Sequence, residues 1–167
     1  LSVSQDCLSF VYDIYEDTQS FELTQRLNHS IQFLIKTYDY IDSIYIYSEK
    51  QELVIDGRKI MHADELTDKT WLTTYKEMGE NNFIVKSRRK NDNYPYFITL
   101  ICPVHAGITQ TVGAVVININ IEGIAKVIAD SKDSKQLMLI VDDDMHLYYS
   151  SDIAIMNDAQ TKADIIS

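Results

Sequence analysis

The first third of the chain carries apolar residues at a helical period. They recur at intervals of three or four positions, at Leu27, Ile31, Leu34 and Tyr38. This spacing places the side chains on one face of a helix. Since no glycine or proline occurs before Gly57, the pattern predicts a helix over residues 4–38. The more polar stretch 16–22 is where such a helix would kink.

After this helix the period changes to that of β-strands. Runs of β-branched and aromatic residues predict strands at 42–47, 52–55, 82–87, 94–104 and 111–121. Between the second and third strands, Trp71, Tyr75 and Met78 share one face of a short helix that Asp64, Thr67 or Asp68 could cap. A further amphipathic helix follows at 121–128. The short connections favour antiparallel pairing.

The end of the chain has a different character. A polar linker at 131–135 is followed by two predicted strands, 136–141 and 145–150. A hairpin of two strands is marginally stable in water. It is therefore interpreted as the start of a second module, or as a piece that must dock elsewhere.

The length of the first helix suggests a partner. About 34 helical residues span about 50 Å, whereas a unit of about 95 residues has a diameter of about 32 Å. The overhanging part would need cover from the second module or from another subunit. This favours a homodimer.

The order of these elements resembles the double Cache (PAS-like) sensor domains of bacterial receptors, above all those of sensor histidine kinases. The resemblance is carried by residues 40–48, Trp71, 96–104, 113–120 and 139–152. It implies an α+β fold with a PAS-like antiparallel sheet. The implied parts are a long N-terminal helix (1–38), a membrane-distal module (39–132) and the start of a membrane-proximal module (133–167), cut short after Ser167.

The resemblance also implies a function and a place in the cell. Such a domain lies on the extracytoplasmic side of the cell membrane, joined to it by segments outside this sequence. It binds a small ligand and relays the signal through the long helix to a kinase. The subgroup that binds free amino acids has Arg, Tyr and Asp where this chain has Lys69, Leu72 and either Asn118 or Asn120. No amino-acid ligand is therefore assigned, and a small polar molecule is expected.

Charge and composition limit the possible binding partners of the chain and its place in the cell. The formal net charge is -10, with a pI near 4.7, so the surface would repel nucleic acids and anionic lipid headgroups. No apolar run of about 18 residues is present to span a membrane, and no signal peptide is visible. The chain is thus either cytoplasmic or a piece lying between membrane spans. The two cysteines, Cys7 and Cys102, are expected to be free.

Catalytic and metal-binding motifs are not found. The sequence has no His-Glu-x-x-His, no phosphate-binding glycine loop and no Gly-x-Ser-x-Gly. The sequence has four histidines, at His29, His62, His105 and His146. They are scattered and do not have the spacing of metal ligands. The acidic run 142–144 is interpreted as a hairpin turn. No enzymatic activity, catalytic residue, metal or cofactor is therefore expected.

Residues 111–121 suggest a ligand pocket on one face of the sheet. Side chains alternate along a strand, so Val112, Ala114 and Val116 share a face with Asn118 and Asn120. Small apolar residues leave room above the sheet, and amides both donate and accept hydrogen bonds. The alternative is that both amides lie at the solvated end of the strand.

Aromatic and basic residues complete the predicted site. Rings with polar tips suit a half-buried cavity, and an arginine can form a bidentate pair with a carboxylate. The expected ligand-binding residues are Tyr45, Tyr47, Trp71, Tyr75, Arg88, Tyr96, Asn118 and Asn120. The alternatives are that the rings belong to the core and that Arg88 and Arg89 are solvated.

Three other functions fit the sequence. One is a dimerisation or protein-binding module of a receptor, in which the protein's own side chains fill the sheet face. Another is the sensor domain of a chemoreceptor or cyclase. The third is a cytoplasmic PAS-type domain.

Overall fold

The computed structural model describes residues 3–12, 17–78, 83–89, 96–106, 110–130, 137, 139–141, 147–152 and 154–155. Features predicted at the linker 131–135, at the acidic turn 142–144 and at His146 lie outside these residues. The helices are α1 (Val3–Tyr12), α2 (Asp17–Thr37), α3 (Thr70–Glu77) and α4 (Ile121–Asp130). A short 3-10 turn at Ala63–Glu65 precedes α3.

The strands form a six-stranded sheet and a separate hairpin. The sheet contains β1 (Ile41–Ser48), β2 (Leu53–Ile55), β3 (Ile60–His62), β4 (Ile84–Arg89), β5 (Tyr96–Ala106) and β6 (Gln110–Asn120). The hairpin contains β7 (Leu139–Val141) and β8 (Leu147–Ser150).

The large sheet is antiparallel throughout, in the order β3-β2-β1-β6-β5-β4. This confirms the α+β class and the antiparallel sheet predicted from the sequence. The prediction missed β3, which has three residues, of which only Met61 is buried. So short a strand gives no alternating pattern to detect.

The N-terminal region differs from its prediction. Asp6 on α1 and Arg26 on α2 form a salt bridge of 3.0 Å, although 20 residues of continuous helix would separate them by about 30 Å. The prediction of one helix over 4–38 is therefore wrong, because α1 and α2 are separate helices that contact each other. The long helix of this fold is α2, and its 21 residues span about 32 Å. The overhang disappears, and the homodimer stays a prediction without that support.

Two apolar clusters lie on opposite faces of the sheet. Alternate side chains of β1 point to opposite faces. Ile44 and Ile46 pack with Leu27 and Ile31 of α2, whereas Tyr45 and Tyr47 pack beneath α3. On the α2 face the contacts are close.

Gly113 of β6 lies where the backbone of β1 and the Val11 side chain of α1 approach this strand closely. A β-carbon added to Gly113 would lie 2.1 Å from the Tyr47 carbonyl oxygen, so a side chain does not fit at this position.

The hairpin β7–β8 forms its own small sheet, and β8 contacts α4. The module boundaries at 38 and 132 stay predictions. Among the described residues, no helix is both long and apolar enough to cross a membrane.

The two cysteines are free thiols, as predicted. Burial, reinforced by the nearby charge of Asp6, raises the pKa of Cys7 to about 11. Burial also raises the pKa of Cys102. Both thiols are therefore protonated, and weakly nucleophilic, at neutral pH.

Candidate functional site

Asn118 lies at the centre of the candidate site. In the strand register it pairs with Ser43 of β1 on one side and with Thr99 of β5 on the other, so the three side chains share the face beneath α3. Only 1% of Asn118 is exposed. Its Nδ2 donates to Ser43 Oγ (2.9 Å), and its Oδ1 accepts from Thr99 Oγ1 (2.8 Å). The amide is buried, so the alternative of a solvated strand end is wrong for this residue.

A buried ion pair lies beside Asn118. Arg88 of β4 forms a bidentate pair with Asp68, in which Nη1 donates to Oδ1 (2.5 Å) and Nη2 donates to Oδ2 (2.7 Å). The side chains of Arg88 and Asp68 are 10% and 2% exposed. A second hydrogen bond joins Arg88 Nη2 to Asn118 Oδ1 at 2.8 Å. Arg88 is therefore part of the interior, and the alternative of a solvated loop is wrong for it.

An aromatic cluster covers this polar network. Trp71 stacks on Tyr45, with ring centroids 6.0 Å apart and an interplanar angle of 24°. Tyr47 meets Trp71 edge-on at 5.7 Å and Tyr75 edge-on at 5.4 Å. All four rings are buried. The rings thus form one wall of the site and part of the core at once.

The polar tips of Trp71, Tyr45 and Tyr75 are hydrogen-bonded. Trp71 Nε1 donates to the Asp68 carbonyl oxygen (2.9 Å), and the Tyr45 hydroxyl donates to Asp68 Oδ2 (3.2 Å). The Tyr75 hydroxyl donates to Glu49 Oε2 (2.9 Å). Burial is the main cause that raises the pKa of Tyr45, Tyr47 and Tyr75. These phenols are therefore neutral donors at physiological pH.

The structure brings together six of the eight predicted site residues, namely Tyr45, Tyr47, Trp71, Tyr75, Arg88 and Asn118. Asn120 has another role, since its Oδ1 accepts from the Glu122 backbone N–H (2.9 Å) at the start of α4. The side chain of Tyr96 lies outside the described part, as does that of Arg89.

Four members of the network were missed by the sequence analysis, namely Ser43, Asp68, Thr70 and Thr99. Asp68 was expected at most to cap α3, but the N-cap position is Lys69, without a side-chain hydrogen bond. Thr70 and Thr99 accept hydrogen bonds from Arg88 at 2.8 Å and 2.6 Å. The available signal was an aspartate three positions before the only tryptophan. Its partner on β4 is not visible in the sequence.

The space between α3 and the sheet is filled by these side chains. A groove of about 480 Å³ lies beside it, between α3 and the 3-10 turn, lined in part by Tyr47, Lys69 and Lys76. Another, of about 830 Å³, runs along α2. In the part of the chain that the structure describes, no three His, Cys, Asp or Glu side chains are grouped to hold a metal ion. The network itself can recognise charge and hydrogen-bonding groups.

Comparison with solved structures identifies similar folds. The sensory domain of the Campylobacter jejuni chemoreceptor Tlp3 with isoleucine bound has a TM-score of 0.57, with 11% identity. It matches over 93% of this chain and 62% of its own. The Tlp3 ligand-binding domain with L-valine gives a TM-score of 0.57 at 12% identity, over 93% and 63%. The same domain with 4-methylisoleucine gives 0.58 at 13%, over 93% and 62%.

At this level of identity the likeness shows the fold. It supports the predicted resemblance to bacterial sensory domains at the level of architecture, and these neighbours are named as sensory or ligand-binding domains. The chain spans less than two thirds of the length of the solved chains that it matches. No family model and no characterised protein matches the sequence.

Proposed function

We propose that this chain is the extracytoplasmic ligand-sensing domain of a bacterial membrane receptor, and that it binds a small polar molecule between α3 and the sheet. The observation that carries the proposal is the buried Asp68–Arg88–Asn118 network beneath Trp71. A buried ion pair often stabilises the fold less than apolar side chains of the same volume would, because both charges lose their hydration. Buried charge beside aromatic rings is therefore a feature of recognition sites more than of stable cores.

The fold gives a second, independent argument. Tlp3 domains of similar architecture bind isoleucine, L-valine and 4-methylisoleucine. We therefore place the ligand of this chain in the same general class of small polar metabolites. The residues proposed to contact it are those of the network and its aromatic wall.

The proposal extends to the rest of the receptor. A histidine kinase output follows from the sequence resemblance, whereas the structural neighbours belong to a chemoreceptor. Both outputs require a ligand to favour one of two arrangements of the domain. The location on the outer side of the cell membrane and the homodimer belong to the same proposal.

A thermal-shift screen of this chain tests the proposal. The panel contains amino acids, organic acids, sugars, short peptides and divalent cations. Ligand at a hundredfold excess over its dissociation constant stabilises the native state by about 2.7 kcal/mol. We expect a saturable rise in Tm with one chemical class.

Two variants then locate the bound molecule. Asn118→Ala removes the centre of the network and should weaken binding at least about tenfold, as the loss of a buried hydrogen-bonding group does. Asn120→Ala is the matched control, because it removes an amide from the same strand outside the network. Equal affinities for the two variants would place the ligand elsewhere.

A protein-binding or dimerisation module is the second candidate. It is favoured by the filling of the site, since Trp71 is 1% exposed and Asn118 is 1% exposed. No Tm shift across the panel, together with concentration-dependent dimers in sedimentation experiments, would support this function over the first.

A further inference from the structure

The guanidinium of Arg88 has no hydrogen-bond donor left for a ligand. Its five N–H groups donate to Thr99 (2.6 Å), to Asp68 (2.5 and 2.7 Å), to Thr70 (2.8 Å) and to Asn118 (2.8 Å). A planar guanidinium offers five such donors. An added hydrogen-bond acceptor would therefore have to replace one of these partners.

The partners differ in how firmly the fold holds them. Thr99 and Asn118 lie on strands β5 and β6 in the interior of the sheet. Asp68 lies on the irregular segment 66–69, between the 3-10 turn and α3. Displacing an irregular segment breaks fewer backbone hydrogen bonds than displacing a strand. Asp68, and Thr70 at the start of α3, are thus the partners that can leave without disrupting the sheet.

Asp68 is also the one partner of Arg88 with a negative charge. The two carboxylate oxygens meet the guanidinium in the bidentate geometry by which arginine recognises carboxylates. A carboxylate that replaces Asp68 would keep both hydrogen bonds and the charge balance. A neutral molecule or a cation in its place would leave Arg88 buried without a counter-charge, which is strongly unfavourable.

We propose that Asp68 occupies the position of a ligand carboxylate at Arg88, and that the ligands of this site are small carboxylates that displace Asp68. This inference rests on the proposed function and adds the chemical class of the ligand. Displacement also moves the start of α3, because Trp71 Nε1 is hydrogen-bonded to the Asp68 carbonyl oxygen. Ligand binding is thereby linked to the position of α3 on the sheet.

The test uses acetate as the probe and Asp68→Ala as the variant. Asp68→Ala frees the two N–H groups of the Arg88 guanidinium that bind Asp68, and it leaves room for a small anion. Sodium acetate should raise the Tm of this variant saturably, at constant ionic strength, whereas acetamide should not. Since Asp68 reduces the fraction of binding-competent protein, acetate should bind the variant at least about tenfold more tightly than the wild type.

Three controls define the result. Asp64→Ala removes an exposed aspartate from the preceding turn and should respond to acetate as the wild type does. The double variant Asp68→Ala/Arg88→Ala should not respond. If Asp68→Ala does not fold, Asp68→Asn keeps the size of the side chain and removes its charge, and its acetate affinity should exceed that of the wild type. Equal acetate responses of the wild type and the Asp68 variants would overturn the proposal.

The ligand screen separates this inference from the proposed function. A wild-type ligand that is a sugar or another neutral molecule would overturn the displacement of Asp68 and leave the sensing function intact. A carboxylate ligand whose affinity rises in Asp68→Ala supports both. If acetate binds to Asp68→Ala but the screen finds no ligand for the wild type, no ligand displaces Asp68 in the wild type. This outcome would contradict both the displacement of Asp68 and the sensing function.

Discussion

The two faces of the central sheet are built from different chemistry. The face beneath α1 and α2 is covered by aliphatic side chains, such as Leu27, Ile31 and Ile55, all nearly inaccessible to solvent. On the other face, Tyr45 and Tyr47 of β1 pack against Trp71 and Tyr75 of α3, together with a buried ion pair. The two faces share the same strands, and the alternation of side chains assigns each residue to one face or the other.

This difference separates an aliphatic packing face from a polar face, at which the ligand is proposed to bind. Aliphatic packing gains from burial without any hydrogen-bond requirement. The α3 face buries charged and polar groups, each of which must find a partner, as Asn118 does with Ser43 and Thr99. The loss of a single polar group therefore lowers the stability of such a face. A ligand group can also compete for the same hydrogen-bond partners.

Removing one member of the buried ion pair should have the largest effect on stability. Arg88→Ala leaves the carboxylate of Asp68 buried without a counter-charge, and the free energy of unfolding should fall by about 3–5 kcal/mol. Urea denaturation measures this loss. The double variant with Asp68→Ala should be less destabilised than the single variants predict together. A loss below about 1 kcal/mol would mean that the pair behaves like a solvated one.

Truncation of the aliphatic face should cost nearly as much, for a different reason. Leu27 is 0% exposed, and Leu27→Ala should lower the free energy of unfolding by about 2–5 kcal/mol through lost burial and an unfilled cavity. Leu8→Ala, at a position 42% exposed, is the matched control. Ligand affinity should be unchanged in both variants. Similar losses for the two would contradict the packing described for α2.

Alkaline pH should act on the α3 face through its three buried tyrosines, in addition to its effect on the buried thiol of Cys7 on the other face. Burial raises the pKa of Tyr45, Tyr47 and Tyr75, whereas in the unfolded chain tyrosine ionises near pH 10. Above about pH 10 the unfolded state therefore binds fewer protons than the native state, and stability falls as pH rises.

Tyrosinate absorbance and circular dichroism, recorded together as pH rises, test this expectation. The buried phenols should ionise only as the protein unfolds. Tyr75→Phe should weaken the dependence of stability on pH, while Tyr38→Phe, at an exposed position, should not. Ionisation of every tyrosine before any unfolding would contradict the burial of the cluster.

The partly exposed ion pair of Arg26 and Asp6 should contribute least. The Arg26 side chain is 47% exposed and that of Asp6 is 11% exposed, and Arg26→Ala should lower stability by about 1 kcal/mol, because water solvates one of the two partners. High salt should reduce this contribution further, while the loss caused by Arg88→Ala should change little. A large loss from Arg26→Ala would show that the contact of α1 with α2 depends on this pair.

Much of the fold could be predicted from local patterns. The strands β1, β5 and β6 are long and rich in β-branched residues, so their existence and antiparallel pairing followed from the sequence. The separation of α1 and α2 was anticipated only as a kink at the polar stretch 16–22, because the helical period continues on both sides of it. The choice between one long helix and two contacting helices depends on tertiary packing, here of Phe10 and Val11 with Leu23.

The sequence by itself determined which residues face the same side of the sheet. Alternation along β1 placed Tyr45 with Tyr47, and the helical period of α3 placed Trp71 with Tyr75, whereas the meeting of these pairs with Asn118 of β6 depends on the order of the strands. Only the tertiary structure decided that Asp68 and Arg88 form a pair. The two residues lie 20 positions apart in the sequence, and the order of the strands in the sheet determines whether their segments are close in space. Periodicity is a local property, whereas the pairing of buried charges depends on which segments the sheet brings together.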